Sequence, residues 1–314
     1  MKKIFIYLLS AAVLSFASCT EKNKPVNKDS TTEQTKTPEE DEQEPEKYLG
    51  KLAGVNNNYV AKPFSVSETV KVIMSQGNLQ YQASTGTWQF AEDQYECLGK
   101  VANDSASATN SGWIDVFGWG TSGYNGKYPY MTSVVSKDYG DGCNDIADTN
   151  YDWGVYNRIN NGGDHKDQWR TLTSDEWRYM FDTRANAANL RGCACVNEIN
   201  GYILLPDDYV MPDGIAFEGS TLDWTPNLYS LEQWKKMEAA GAVFLPAAGS
   251  RNQNPGSDGT YWSSSAHYGY NIAYEWICYE NDANIIWFQK GRAGAQYATL
   301  RYYGESVRLA QTVK

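Results

Sequence analysis

The first clear alternation of apolar and polar residues lies at positions 79–90 and predicts a β-hairpin. Leu79 and Tyr81 alternate with glutamines before a Thr-Gly pair, and Trp88 and Phe90 flank a glutamine after it. Successive side chains of a strand point to opposite faces, and glycine permits a tight turn. We therefore expect the two apolar pairs to face each other across the turn.

Residues 171–184 carry the signals of a helix start. Thr173 and Glu176 match a capping box, in which a hydroxyl and a carboxylate satisfy backbone N–H groups of the first turn. Trp177 and Phe181 are four residues apart, so they would share one face of this helix.

A second helix is predicted at residues 230–241. Ser230 and Gln233 repeat the capping box, and Gly241 supplies a stop. Between them lies an apolar stripe at helical spacing, formed by Leu231, Trp234 and Met237.

Short strands account for much of the remaining pattern. The 27 glycines and the aromatic content of 14% suit short strands joined by many turns. Glycine interrupts residues 111–126 too often for a helix, so we expect strand and loop there. Further strand candidates lie at 201–206, 241–249 and 305–310. Two helices among many short strands predict an α+β fold.

Residues 259–303 are unusually aromatic. Twelve of these 45 residues are Tyr, Trp or Phe, whereas the stretch has a single leucine, Leu300, and no valine. A buried sheet draws on leucine and valine too, so packing alone does not explain this composition. Tyrosine and tryptophan offer large contact area at low rotamer cost, as in antibody paratopes. We therefore expect a ligand-binding region whose contact residues are Tyr268, Tyr270, Tyr274, Trp276, Tyr279, Glu280, Asp282, Asn284, Trp287 and Tyr297.

The alternative interpretation is that these aromatic side chains cover a thin sheet. We expect this for Trp262 and Phe288, and Trp276 fits either interpretation. Exposed tyrosines and tryptophans stack on sugar rings and on peptide side chains alike. The pattern therefore predicts a protein or glycan ligand without choosing between them.

The first 18 residues have the pattern of a signal peptide. Two lysines precede an apolar run at 4–13 that is too short to span a bilayer. The small residues before Cys19 resemble a bacterial lipobox, although Phe16 stands where that motif usually has leucine. We expect Cys19 to be lipidated and to anchor the protein to the cell outer membrane, exposed on the surface. Ordinary secretion is the alternative.

Residues 19–47 are expected to form the lipidated N-terminus and a disordered acidic tether. Apart from prolines, residues 20–47 contain one apolar side chain, Val26, so they cannot offset the entropy of chain ordering. Such a chain spans roughly 30 Å, which would hold a domain clear of lipid headgroups. We expect residues 48–314 to form that domain.

The charge of the chain limits its partners. A net charge of −11 and a pI near 4.8 disfavour nucleic acid, whose binding relies on Lys and Arg neutralising phosphates. We expect the membrane to be contacted through the N-terminal lipid only, and the protein to be a monomer.

The cysteine pattern indicates no zinc site. Five cysteines remain once Cys19 is lipidated, so at most two disulfides form and one thiol is left over. No paired Cys-x-x-Cys spacing occurs. Cys193 and Cys195 lie one residue apart, and we do not expect them to bridge each other.

Catalytic residues and metal ligands are not predicted. His165 and His267 are each expected to be loop residues, and no G-x-S-x-G elbow is present. Clustered aspartates could supply several of the oxygens that calcium requires, but their spacing is not that of an EF-hand and is typical of turns. Calcium therefore stays an alternative, and no cofactor is expected. The aspartates are Asp138, Asp141, Asp145 and Asp148.

Several segments resemble a C-type-lectin-like fold family, namely, in order, WRTLTSDEWRYMF, GAVFLPAAGSR, GTYWSSS and RYYGESVRL. This branch includes formylglycine-generating enzymes, the Fibrobacter-type major paralogous domain and target proteins of diversity-generating retroelements. The segments NLQYQASTGTWQFAE, GWIDVFGWGTSGYN and NYDWGVYN are similar to surface lipoproteins of Bacteroidota. The resemblance covers roughly residues 64–310. It implies scaffold strands near 242–245, 261–264 and 306–309, with residues 265–303 displayed on one face.

The resemblance also implies a function. In the retroelement targets the displayed stretch varies between copies and binds ligand, which predicts a noncovalent receptor here. The enzyme branch uses two cysteines in its C-terminal part, whereas this chain has only Cys278 there, so we do not carry that activity over. Motifs of calcium-dependent sugar-binding lectins are missing. Arg170 and Arg308 are expected to be structural partners.

Two alternatives remain open. A fimbrial or assembly subunit would bury the same aromatic face against another subunit. An enzyme of the formylglycine-generating type would instead need a deep pocket with convergent ionisable groups.

Overall fold

The protein combines helices with several mainly antiparallel sheets, which agrees with the α+β class. The computed structural model describes residues 59–251, 254–270 and 276–313, with backbone only at 268–270 and 276–280. All these residues belong to one compact unit. The signal peptide, Cys19, the whole tether and Tyr274 lie outside the described residues.

The strands of the described chain are β1 (Phe64–Ser65), β2 (Lys71–Met74), β3 (Leu79–Gln82), β4 (Thr87–Phe90), β5 (Trp113–Ile114), β6 (Val116–Phe117), β7 (Arg170–Thr171), β8 (Arg191–Val196), β9 (Ile199–Leu204), β10 (Leu228–Tyr229), β11 (Val243–Pro246), β12 (Asp258–Tyr270), β13 (Trp276–Gln289), β14 (Arg292–Leu300), β15 (Glu305–Ser306) and β16 (Leu309–Thr312). The α-helices are α1 (Gly99–Asp104), α2 (Trp153–Tyr156), α3 (Ser174–Arg178) and α4 (Leu231–Ala239). Short 3-10 helices lie at Tyr124–Gly126, Ser136–Asp138 and Ala187–Leu190, and a π-helical turn at Tyr179–Thr183.

Four sheets organise the described strands. Their orders are β1-β2-β16-β7, β10-β8-β9-β11, β14-β13-β12-β15-β6 and β4-β3-β5. The predicted strands at 201–206 and 241–249 are confirmed as β9 and β11, which pair antiparallel. The predicted strand at 305–310 is divided into β15 and β16, which belong to different sheets.

The predicted hairpin is confirmed in its register. Leu79 is paired with Phe90 and Tyr81 with Trp88, and the Tyr81 and Trp88 ring centroids are 4.5 Å apart. The segment after it forms β5 and β6 with loops, as the glycine pattern predicts.

Both predicted capping boxes are confirmed. The Thr173 hydroxyl accepts the Glu176 N–H, and the Glu176 carboxylate accepts the Thr173 N–H. Ser230 and Gln233 do the same at α4. The first helix is shorter than predicted, because α3 changes to the π-helical turn after Arg178.

The two arginines expected to be structural are confirmed as such. Arg170 forms a forked ion pair with Glu176, at 2.6 and 2.7 Å. Arg308 is fully buried and donates to the carbonyls of Ser75 and Phe244 and to the side chain of Asn78.

Two hydrophobic cores lie on opposite faces of the meander formed by β12, β13 and β14. Tyr261 and Ile286 pack into one core beside Trp177 of α3. Trp262 and Ile285 pack into the other core, which holds the hairpin side chains. The display of residues 265–303 on one face is therefore wrong for the described part. Because successive side chains of a strand point to opposite faces, they pack alternately into one core and the other.

The structure also places the cysteines and the clustered aspartates. Cys97, Cys193 and Cys195 are free thiols, and Cys143 is disulfide-bonded. Among the described side chains, no group of three or more His, Cys, Asp or Glu could hold a metal ion. Of the clustered aspartates, Asp145 is used structurally, since its carboxylate accepts the Ala266 N–H.

Candidate functional site

The register of the meander decides which predicted contact residues share a face. Thr260 is paired with Trp287, and Ile285 with Tyr297. Directly paired residues point to the same face of a sheet, as do residues two apart on one strand. Trp287 and Tyr297 therefore lie on one face, and Asn284 lies on the opposite face.

A β-bulge brings the rings of Trp287 and Tyr297 together. The pairing shifts between Ile285–Tyr297 and Trp287–Gly294, so β14 carries one residue more than β13 here. The two ring centroids are 5.3 Å apart in an edge-to-face arrangement. A Cβ at position 294 would lie 3.0 Å from the Tyr297 ring, so Gly294 leaves that ring the space to turn towards Trp287.

Arg292, at the start of β14, completes this aromatic cluster. Its guanidinium carbon lies 5.0 Å from the centroids of both Trp287 and Tyr297, and its Nε donates to the Tyr297 hydroxyl at 3.1 Å. The arginine is exposed, and both rings are partly exposed. The cluster therefore offers aromatic surface to the solvent and also shows that these rings accept a cation.

Beside the cluster lies an open cleft of about 260 Å³, which we call the aromatic cleft. Three rings border it, and Tyr303 is the most exposed of them, at 36%. Apart from Ile285, the remaining lining is polar or small. The aromatic cleft is lined by Ser250, Asp258, Thr260, Ile285, Trp287, Tyr297, Ala298, Thr299, Tyr303 and Glu305.

Glu305 is the unusual group of the aromatic cleft. Its side chain is only 2% exposed, and its Oε2 has no hydrogen-bond partner among the described residues. Burial, and then the nearby charge of Asp258, raise the pKa of this carboxyl well above its usual range, whereas Thr260 and Arg251 act to lower it. An ionised carboxylate without a close partner is costly to bury, so burial shifts the balance of Glu305 towards its protonated form relative to a carboxyl in water.

The position of Glu305 follows from the sheet. Glu305 is paired with Phe117 of β6, and Ser306 with Tyr261 of β12, which places β15 beside β12 in the same sheet. The neighbouring guanidinium of Arg251 donates to the carbonyls of Met131 and Val116. Arg251 also hydrogen-bonds the Tyr139 side chain, and its Nε, like Glu305 Oε2, is buried without a hydrogen-bond partner among the described residues.

A larger cleft of about 550 Å³ lies on the opposite face of the meander. Asn284 lines it and is held by its own hydrogen bonds, donating to the Ala266 carbonyl at 2.9 Å and contacting His267 Nδ1 at 3.1 Å. Arg178 is paired with Asp175 at 3.2 Å. This polar cleft is lined by Asp145, Ser174, Asp175, Arg178, Ser265, Ala266, His267, Asn284 and Gln296.

The predicted contact residues thus divide into groups. Trp287 and Tyr297 come together at the aromatic cleft, Asn284 lies in the polar cleft, and Asp282 is partly exposed with its carbonyl accepting from Arg301 Nε. Others lie on β12 and β13 with their side chains outside the described residues: Tyr268, Tyr270, Trp276, Tyr279 and Glu280. Trp262 and Phe288 are fully buried, as predicted.

Sequence reasoning missed the carboxyl groups of the aromatic cleft. Glu305 stands in the segment GESVRLA, which has the pattern of a buried strand, and a charged residue at such a position is itself a signal. The proximity of Asp258 and Glu305 arises from the parallel contact of β12 with β15, which no local pattern encodes.

Neither histidine lines the aromatic cleft. His165 is exposed between α2 and β7, outside any helix or strand, as predicted. The loop prediction for His267 is wrong, since it lies within β12 and is partly buried.

Within the described part of the chain, no helix has the length and apolar character needed to cross a membrane. Comparison of the chain with family models, with curated proteins and with solved structures found no match.

Proposed function

We propose that this protein is a receptor that binds a protein or glycan ligand noncovalently at the aromatic cleft. The observation that supports this most directly is the cluster of Trp287, Tyr297 and Arg292 beside a polar-lined cleft. Binding sites commonly combine such aromatic walls with a few convergent polar groups. The two rings are held by a bulge and by Gly294, so they are preorganised for contact.

The receptor would be displayed from the outer membrane surface. Cys19 would carry the lipid, residues 20–47 would serve as the spacer, and the folded part would be a C-type-lectin-like domain. The ordered sequence segments and the mixed helix and sheet architecture are the support for this assignment. Flanking DNA that encodes a reverse transcriptase, with a near-copy repeat differing only at adenines, would support a diversified receptor.

The test is ligand capture by the full chain on glycan and peptide arrays. We expect Trp287→Ala and Tyr297→Ala to lose the array signals of the wild type. Tyr128→Ala is the matched control, because Tyr128 is 45% exposed and stacks on Tyr130 at 5.2 Å without lining the aromatic cleft. Equal loss in the control, or retention in both cleft variants, would contradict the proposal.

An assembly subunit is the second candidate, and one observation favours it. β14 is the edge of its sheet, with nine residues from Arg292 to Leu300. An edge strand presents unpaired backbone groups to which another chain can add. A size measurement separates the two candidates, since a stable polymer supports assembly and a monomer supports the receptor.

A further inference from the structure

The charge of the aromatic cleft restricts what it can hold. Two carboxyl groups, those of Asp258 and Glu305, line it, and none of its lining residues is Lys, Arg or His. The nearby cations are Arg251, beside Glu305, and Arg292, against the Trp287 and Tyr297 rings. Three aromatic side chains, Trp287, Tyr297 and Tyr303, complete its lining. Carboxylates and the faces of aromatic rings both attract cations.

Glu305 adds a requirement for a hydrogen-bond donor. Its Oε2 is buried and unpartnered among the described residues, although it belongs to a side chain that lines the cleft. Buried polar atoms normally have a partner, and leaving one unpaired is costly. A guest that supplies an N–H group would satisfy this oxygen.

The size of the cleft limits the guest to a small group. Its volume of about 260 Å³ is below the roughly 300–1,000 Å³ typical of pockets for drug-sized ligands. A single side chain or a small head group therefore fits, and a larger molecule would enter with one end only.

Resting on the proposed function, we propose that the aromatic cleft binds a primary alkylammonium group, with Glu305 and Asp258 as its carboxylate partners. The three N–H donors of an ammonium reach carboxyl oxygens, and its alkyl stem packs against the rings. A quaternary ammonium lacks the N–H donor that Glu305 requires. A lysine side chain of a protein ligand and a free amine both present this group.

The proposal fixes the sign of the pH dependence. In the free protein, burial and then Asp258 raise the pKa of Glu305, while Thr260 and Arg251 lower it. Besides Asp258, the other titratable groups that line the cleft are Tyr297 and Tyr303, and Arg292 contacts the Tyr297 ring from outside it. A bound cation favours the ionised carboxylate, so binding releases a proton. Affinity should rise with pH, by up to about tenfold per pH unit, until the pKa of free Glu305 is passed.

The test measures binding of n-butylammonium chloride to the full chain. NMR or calorimetry gives the affinity at matched ionic strength between pH 5.5 and 9. Butyltrimethylammonium and 1-butanol are the comparison probes. We expect binding of the primary ammonium, weaker binding of the other two, and the rise with pH. A second experiment replaces the amine by Nα-acetyl-lysine amide, with an acetylated-lysine analogue as the uncharged control. It distinguishes a lysine side chain of a protein ligand from a free amine.

Variants make the assignment specific. Glu305→Gln keeps the shape but removes the charge, so it should weaken n-butylammonium binding at least about tenfold at high pH and flatten the pH profile. Asp258→Asn should weaken binding while keeping the profile, which covers the case that the Glu305 variant misfolds. Glu68→Gln, an exposed carboxyl outside the cleft, should change neither.

Several outcomes would overturn the inference: absence of n-butylammonium binding, equal binding of 1-butanol or butyltrimethylammonium, or affinity that falls as pH rises. A falling affinity would mean that protonated Glu305 donates to an uncharged ligand. If amines fail while array ligands still depend on Trp287, the cation inference is wrong and the proposed receptor function stands.

Discussion

Trp262 and Trp287 provide a direct test of whether the aromatic stretch forms core or binding surface. Both lie on the same face of the meander, because Trp262 is paired with Ile285, two residues before Trp287 on the same strand. Trp262 is fully buried and its Nε1 donates to the Phe117 carbonyl at 2.6 Å, whereas Trp287 is only partly buried.

The expected costs of truncation differ accordingly. Trp262→Ala removes a buried aromatic side chain, which costs about 3–5 kcal/mol, and the unpaired Phe117 carbonyl adds about 1 kcal/mol or more. Trp287→Ala loses the edge-to-face contact with Tyr297 and the cation–π contact with Arg292. These contacts are together worth about 1–2.5 kcal/mol. Trp287→Phe, which retains a ring, should cost less than either.

Urea unfolding of the full chain measures these differences. It is monitored by far-ultraviolet circular dichroism, which follows the backbone. We expect the free energy of unfolding to fall at least about 1.5 kcal/mol further in Trp262→Ala than in Trp287→Ala. Array binding should be lost in Trp287→Ala at a temperature where the variant is folded. Equal destabilisation by the two truncations would make Trp287 a core residue and refute the reasoning behind the aromatic cleft.

Three further predictions concern buried polar groups. Arg308→Met should lower the free energy of unfolding by about 3–5 kcal/mol in urea titrations, because the buried carbonyls of Ser75 and Phe244 lose their donor; an unchanged midpoint would contradict this. Burial raises the pKa of Glu238 from 4.5 to about 7, so its protonated form stabilises the fold below pH 4.5 and this contribution is lost as pH rises through 7. Glu238→Gln should therefore flatten the fall in stability between pH 4.5 and 7 in thermal unfolding, and an unaltered pH profile would count against it. Cys193 is fully buried and burial raises the pKa of its thiol to about 12, so mass spectrometry should find it alkylated more slowly than Cys195 in the native protein; faster labelling of Cys193 would refute that placement.

Local signals allowed much of the fold to be predicted. The hairpin register and the two capping boxes depend on residues a few positions apart, such as Tyr81 with Trp88 or Thr173 with Glu176. These interactions are encoded within one turn or one strand pair, so the sequence pattern is sufficient. The change to a π-helical turn after Arg178 has no such signal, and the predicted helix was too long for that reason.

The candidate site was predicted only in part, because its geometry depends on long-range pairing. Trp287 and Tyr297 were identified by composition. The extra β14 residue that brings their rings together cannot be predicted without the strand register. Glu305 joins the cleft through pairing of β15 with β6 and β12. The separation of Asn284 from Trp287 follows from alternation on a strand whose register the sequence left undetermined.

Ile285 and Ile286 are buried in different cores on opposite faces of the meander, and this limits how the region can evolve. A single-residue insertion between them would exchange the environments of every following β13 side chain, which two filled cores would not tolerate. β14 carries exposed side chains at Arg292, Gln296 and Ala298 and is far less constrained. Natural variants with altered ligand preference should therefore accumulate substitutions along β14 while leaving the length of β13 unchanged.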